Sequence, residues 1–199
     1  LSDLIIEGNT SLYNGGGMAL YQSNSNLENI LIWGNSGDVY GGGILISESN
    51  LALNNINVIE NSSNAGDGGG VSINNESTVT ITNSTIGDNH GGFQSDNQYG
   101  GGIHLYNSNA NISNSIISNN LASKGGGGIF VGANSSVNIN NTTISNNEVT
   151  HNNGGGGGIR CQTDGQGGIS LILNYVTING NSAISNGNSG GGILFADRD

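Results

Sequence analysis

Cut at intervals of 26 to 34 residues, the chain aligns with itself. Seven times a run of three glycines leads into an apolar residue: Met18, Ile44, Val71, Ile103, Ile129, Ile159 and Ile193. Two positions later stand Leu20, Ile46, Ile73, Leu105, Val131, Cys161 and Phe195. Alternation of this kind marks a short strand with one buried face. A second anchor, aliphatic-x-x-Asn, ends at Asn9, Asn35, Asn61, Asn89, Asn120, Asn147 and Asn181. Eight positions before each of these comes another aliphatic residue: Leu1, Leu27, Leu53, Ile81, Ile112, Ile139 and Leu173. Six positions before, five of the seven are again Asn: Asn29, Asn55, Asn83, Asn114 and Asn141, beside Asp3 and Tyr175.

A unit of about 26 residues holds three short strands and three turns, too little to bury a core alone. Repeats of this kind stack, each coil pairing in parallel with the next at about 4.8 Å. The sequence therefore predicts an all-β chain, a right-handed parallel β-helix or solenoid. It has about seven coils of three short strands each, as a single segment over residues 1–199. Handedness follows the general rule for parallel crossovers. The glycines mark the turn before each strand, where backbone freedom and close approach are needed. The asparagines predict two ladders of side-chain amides, one at each column, buried or half-buried and satisfied by repetition.

Composition changes this picture little. With 37 Gly, no Pro and 5% aromatic residues the chain would pass for a flexible linker, but linkers do not keep apolar residues in register. Charge excludes more. Lys124, Arg160 and Arg198 face 14 acidic residues, for a net charge of −11. Such a chain has no cationic patch for nucleic acid, for an anionic membrane or for a strongly anionic polysaccharide. No apolar run is long enough to insert directly into a membrane as a helix. Cys161 is the one cysteine, so no internal disulfide forms, and its register points it into the core.

The two anchors resemble the paired repeats of the polymorphic outer-membrane protein family, which carry Gly-Gly-Ala-Ile and Phe-x-x-Asn motifs. Here "GGGI" has Gly for Ala, and "ISNN" or "IGDN" has Ile where that family has Phe. The likeness spans the whole chain. It implies a β-helical, structural or adhesive segment of a secreted or cell-surface bacterial protein, with a host or environmental surface or glycan as partner. The wider pectin-lyase-like superfamily shares the architecture and implies the alternative, a polysaccharide lyase or hydrolase. The chain starts at Leu1 in mid-repeat, so further coils or end-to-end contact between copies is expected.

Candidate chemistry lies on the outward row between the two inward residues: Ala19, Leu45, Ser72, His104, Phe130, Arg160 and Leu194. On an exposed row, Phe130 would stack on a sugar flanked by His104 and Arg160. Arg160 with Asp164 is the local pair that a lyase would use. The insertion over 89–99 supplies a candidate recognition loop with His90, Phe93 and Tyr99. Glycoside hydrolysis needs two carboxylates about 5–10 Å apart, and Glu48, Glu76 and Asp164 are not expected to line up. The sequence thus names no catalytic residue. It implies no cofactor beyond a calcium candidate at Asp38, Asp67 and Asp96, and no zinc site from His90, His104 and His151.

Overall fold

The computed structural model describes residues 1–92, 98–151, 154–165, 167–184 and 189–196. The chain is a parallel β-solenoid built of three sheets, and no helix occurs among the described residues. The third sheet stacks Met18–Tyr21, Ile44–Ser47, Val71–Asn74, Ile103–Leu105, Ile129–Val131, Ile159–Gln162 and Ile193–Ala196, seven strands in parallel. The second sheet also has seven strands, each of two residues, directly after the ladder asparagines. In the first sheet the strands Ser2–Glu7, Asn26–Trp33 and Asn50–Ile59 run on, whereas later coils break the same path in two.

Register follows the columns: Leu27 pairs with Leu53, Leu53 with Ile81, Ile81 with Ile112, Ile112 with Ile139 and Ile139 with Leu173. The core is a set of aliphatic rows, fully buried from Leu27 to Cys161. The first and last coils have a neighbour on one side only, which leaves five enclosed coils. This is why Ile6, Met18, Leu20, Leu173, Ile178 and Ile193 are only partly buried. Phe195, inward by register, stands exposed on the last coil.

Each glycine of a triplet answers a separate demand. Gly41 has φ +65°, a left-handed turn costly for other residues. A Cβ on Gly42 would run into the backbone of Ser62, in the second-sheet strand of the next coil, as one on Gly41 would run into the Ile44 carbonyl of its own. A Cβ on Gly43 would lie 2.7 Å from the Gly70 carbonyl oxygen of the next coil. The triplet thus packs the turn against both its own coil and its neighbour.

The first predicted ladder forms over its whole length. From Asn9 to Asn181, each Nδ2 donates to the next Oδ1 at 2.9–3.1 Å. The same Oδ1 also accepts the preceding asparagine's backbone N–H. The residue before each ladder asparagine is left-handed, from Gly8 at φ +64° to Gly180 at +62°.

The second column departs from expectation. Asn29, Asn55, Asn83, Asn114 and Asn141 are exposed, with φ between +44° and +54°. Their amides pair only in places, as Asn55 to Asn29 and Asn141 to Asn114, while Asn83 donates to Asn54. The column is selected for its backbone conformation, which Asn tolerates better than most residues.

Two buried hydroxyl ladders were not anticipated. Ser23, Ser49, Ser77 and Ser108 each donate backbone N–H to the Oγ of Ser49, Ser77, Ser108 and Ser135 in turn. Ile56, Ser84 and Ser115 do the same to Ser84, Ser115 and Thr142. The signal of the second is a hydroxyl five positions before the ladder asparagine in three successive coils, and that of the first is a serine five or six positions after Met18, Ile44, Val71, Ile103 and Ile129.

Asn89→Ala would strand the buried backbone N–H of Asn61 and remove the side-chain bonds to Asn61 Nδ2 and the Val58 carbonyl. It is expected to cost about 3 kcal/mol, against less than about 0.5 kcal/mol for the exposed Asn114→Gly. Shifts in the urea unfolding midpoint check both.

Candidate functional site

The third sheet's outward face is where side chains diverge from coil to coil. Directly before each glycine triplet stand Asn14, Tyr40, Asp67, Tyr99, Gly125, Gly155 and Ser189. The left-handed first glycine turns this row up beside the strand, so that Tyr40 bridges to Asp67 and Tyr99 to Gly125 along the axis. It forms one wall of a cleft. Leu45 and His104 form the floor, and Tyr21, Ser47, Asn74 and Tyr106 at the strand ends form the other wall. The cleft encloses about 440 Å³.

The row read as exposed in the sequence is buried in its middle. Ser72, His104, Phe130 and Arg160 are all under a tenth exposed. The reason is the wall, which folds over them. Tyr99 packs on Phe130 with ring centroids 4.4 Å apart, and Phe130 stacks on His104 at 5.3 Å and 3°. Phe130 therefore meets protein rings rather than solvent. Arg160 lies in register beside it, donates Nη1–H to the Lys124 carbonyl at 2.9 Å and sits 5.5 Å from the Tyr99 ring centre.

The remaining sequence candidates scatter. Asp164 accepts a hydrogen bond from the Tyr106 hydroxyl at 2.8 Å, at the cleft's rim. His90 stands on the second sheet, half-buried, and burial lowers its pKa. Tyr99 of the same insertion turns onto Phe130, so the Tyr99 ring is not held out as a free recognition element. Phe93 and Asp96 lie outside the described residues. Asp38 accepts from the Asn64 amide and Asp67 from the Tyr99 backbone N–H. Glu48 and Glu76, not expected to line up, occupy the same corner of adjacent coils and line a second groove with Asn75 and Asn107. Cys161 is buried in the core, and burial pushes its thiol up to about 12.

What sequence reasoning missed is the wall. Asn14, Tyr40 and Asp67 share no residue type, so no column announced them. Fixed spacing to the glycines was the available signal. Within the cleft, burial and then the Asp67 carboxylate raise the pKa of Tyr40, which keeps its hydroxyl protonated. The hydrogen bond to Asp164, and after it burial, does the same for Tyr106. Two side-chain carbonyl oxygens lining the cleft, Asn14 Oδ1 and Asn74 Oδ1, are buried and accept no hydrogen bond.

Asp67, His104 and Ser72 are the residue types of an acyl-transfer triad. Here Asp67 Oδ2 lies 3.6 Å from His104 Nε2, and Ser72 Oγ 3.5 Å from Nδ1. The serine is wholly buried and already accepts from the Asn74 amide. A nucleophile needs a path to substrate, so the three hold the histidine ring under the wall.

Burial lowers the His104 pKa, and the Asp67 carboxylate opposes this with the smaller effect. A folded value below the ordinary 6.5 means the unfolded chain takes up the proton first. Stability present above about pH 6.5 is therefore lost as the pH falls below it. Urea midpoints at pH 7.5 and 5.5 are expected to differ more in the parent than in His104→Gln, the remainder coming from groups such as His90.

Comparison with curated proteins and with solved structures finds no match. A family model described as the right-handed β-helix region matches residues 1–113, more than half of the 199-residue chain. With its parallel sheets and stacked aliphatic rows, the chain belongs to the right-handed β-helix family.

Proposed function

We propose that the chain is a rigid β-helical scaffold that binds glycan in the tyrosine-lined cleft and serves attachment outside the cell. The cleft is the observation that carries this. Tyr21, Tyr40 and Tyr106 line an open groove with their rings and hydroxyls. Such rings join an apolar body to a polar tip, which suits the alternating apolar and hydroxyl faces of a sugar. Its volume falls within the range of about 300–1,000 Å³ typical of ligand sites. Among the described lining residues Asp67 is the one carboxylate. Hydrolysis by the usual route takes two, which favours holding a glycan over cleaving it. Display on a cell surface or secretion is supported by the likeness of the repeats to polymorphic outer-membrane proteins.

A glycan array is expected to return oligosaccharide ligands. Tyr40→Ala and Tyr106→Ala are each expected to weaken them about tenfold, with unchanged thermal unfolding. An array without a ligand, or binding indifferent to both substitutions, would overturn the proposal.

One observation favours the enzymatic alternative: Glu48 and Glu76 line one groove from adjacent coils. On that alternative a polysaccharide panel releases reducing ends, and Glu48→Gln or Glu76→Gln each abolishes the release. Product formation that survives both substitutions would remove these residues from the chemistry.

A further inference from the structure

The cleft's polar groups that await a partner are acceptors. Asn14 Oδ1 and Asn74 Oδ1 are buried without a donor. Asp67 Oδ1 takes the Tyr99 N–H at 2.7 Å, while Oδ2 lies 3.6 Å from His104 Nε2, beyond hydrogen-bonding distance. Among the described residues, no lysine or arginine lines the cleft. A carboxylate in a partly enclosed groove with unused lone pairs is a site for a donor-rich cation, and it repels an anion.

We propose that the cleft selects glycans bearing free amino groups, with a sugar ammonium on Asp67, whose side chain is 20% exposed. This rests on the glycan-binding reading above and names its substrate class. An ammonium supplies three donors at one point, which matches a single carboxylate better than a neutral amide does. Uronic acid chains, which the same scaffold could meet, carry the wrong sign.

The test is calorimetric titration of the full chain with three oligosaccharide sets of equal length: glucosamine oligomers, their N-acetylated counterparts and galacturonate oligomers. The free-amine set is expected to bind at least about tenfold tighter than the acetylated set at low salt. The advantage is expected to disappear in Asp67→Asn, which keeps an acceptor for the Tyr99 N–H. It is expected to shrink in 0.5 M NaCl, where charges are screened over about 4 Å. The double variant Asp3→Asn, Glu28→Gln lowers the charge on the exposed first sheet and is expected to keep the preference. Loss of the preference there would show general attraction to an acidic protein and overturn the assignment. So would equal or tighter binding of the acetylated set, or a preference unchanged in Asp67→Asn, and in either case glycan binding itself would stand. Failure of all three sets to bind would overturn both.

Discussion

Everything in this molecule depends on one backbone being laid on another at strand spacing, in the same register, coil after coil. A coil of about 26 residues has no interior of its own. Its aliphatic residues are buried by the coil above and the coil below, as the contrast between Leu53 and the half-exposed Leu173 shows. Its corner amides are satisfied in the same way, because the Oδ1 that accepts Asn35's N–H belongs to Asn61. Burying such polar groups without partners would cost about 1–3 kcal/mol each. Repetition removes that cost, since every asparagine finds its copy at the same place. The glycine turn obeys the same constraint. The space that a Cβ would need at Gly43 is filled by the carbonyl of Gly70, one coil away.

This explains what was legible in the sequence. A column whose residue type is dictated by stacking repeats in every coil, so the aliphatic rows, the glycine triplets and the Asn9–Asn181 ladder could be read directly. The column at Asn29 and Asn55 is also visible, but its exposure is not. Side-chain stacking and left-handed backbone both select asparagine, and only coordinates tell exposure from burial. The hydroxyl ladders were missed because they cover part of the rod: Ser84, Ser115 and Thr142 hold a position that is Leu4, Ile30, Ile56 and Val176 elsewhere.

The cleft was illegible for the opposite reason. A site needs different residues in successive coils, so it occupies the columns that do not repeat. Asn14, Tyr40, Asp67 and Tyr99 form such a column. The turn that raises them into a wall was read correctly as a turn, but nothing in a strand's period says what a turn will cover. The strand period therefore puts His104, Phe130 and Arg160 on the outward face in their order, but it does not show that the Tyr99 ring of the wall covers Phe130 and Arg160.

The end of the cleft follows from the same column. Past Tyr99 the wall residues become Gly125 and Gly155, and the space is taken by Arg160, whose Cδ lies 2.3 Å from where a Gly125 Cβ would be. Arg160 and Lys124 both approach the Tyr99 ring, at 5.5 and 5.8 Å. Two of the chain's three basic residues are thus engaged in closing the groove at this end. The open part is left with tyrosines, amide oxygens and the Asp67 carboxylate. An acidic rod with so few cations would carry an acceptor-rich groove by composition alone. Placing these two cations at the blocked end makes that polarity a property of the site, because their charge is turned onto a ring instead of toward a ligand.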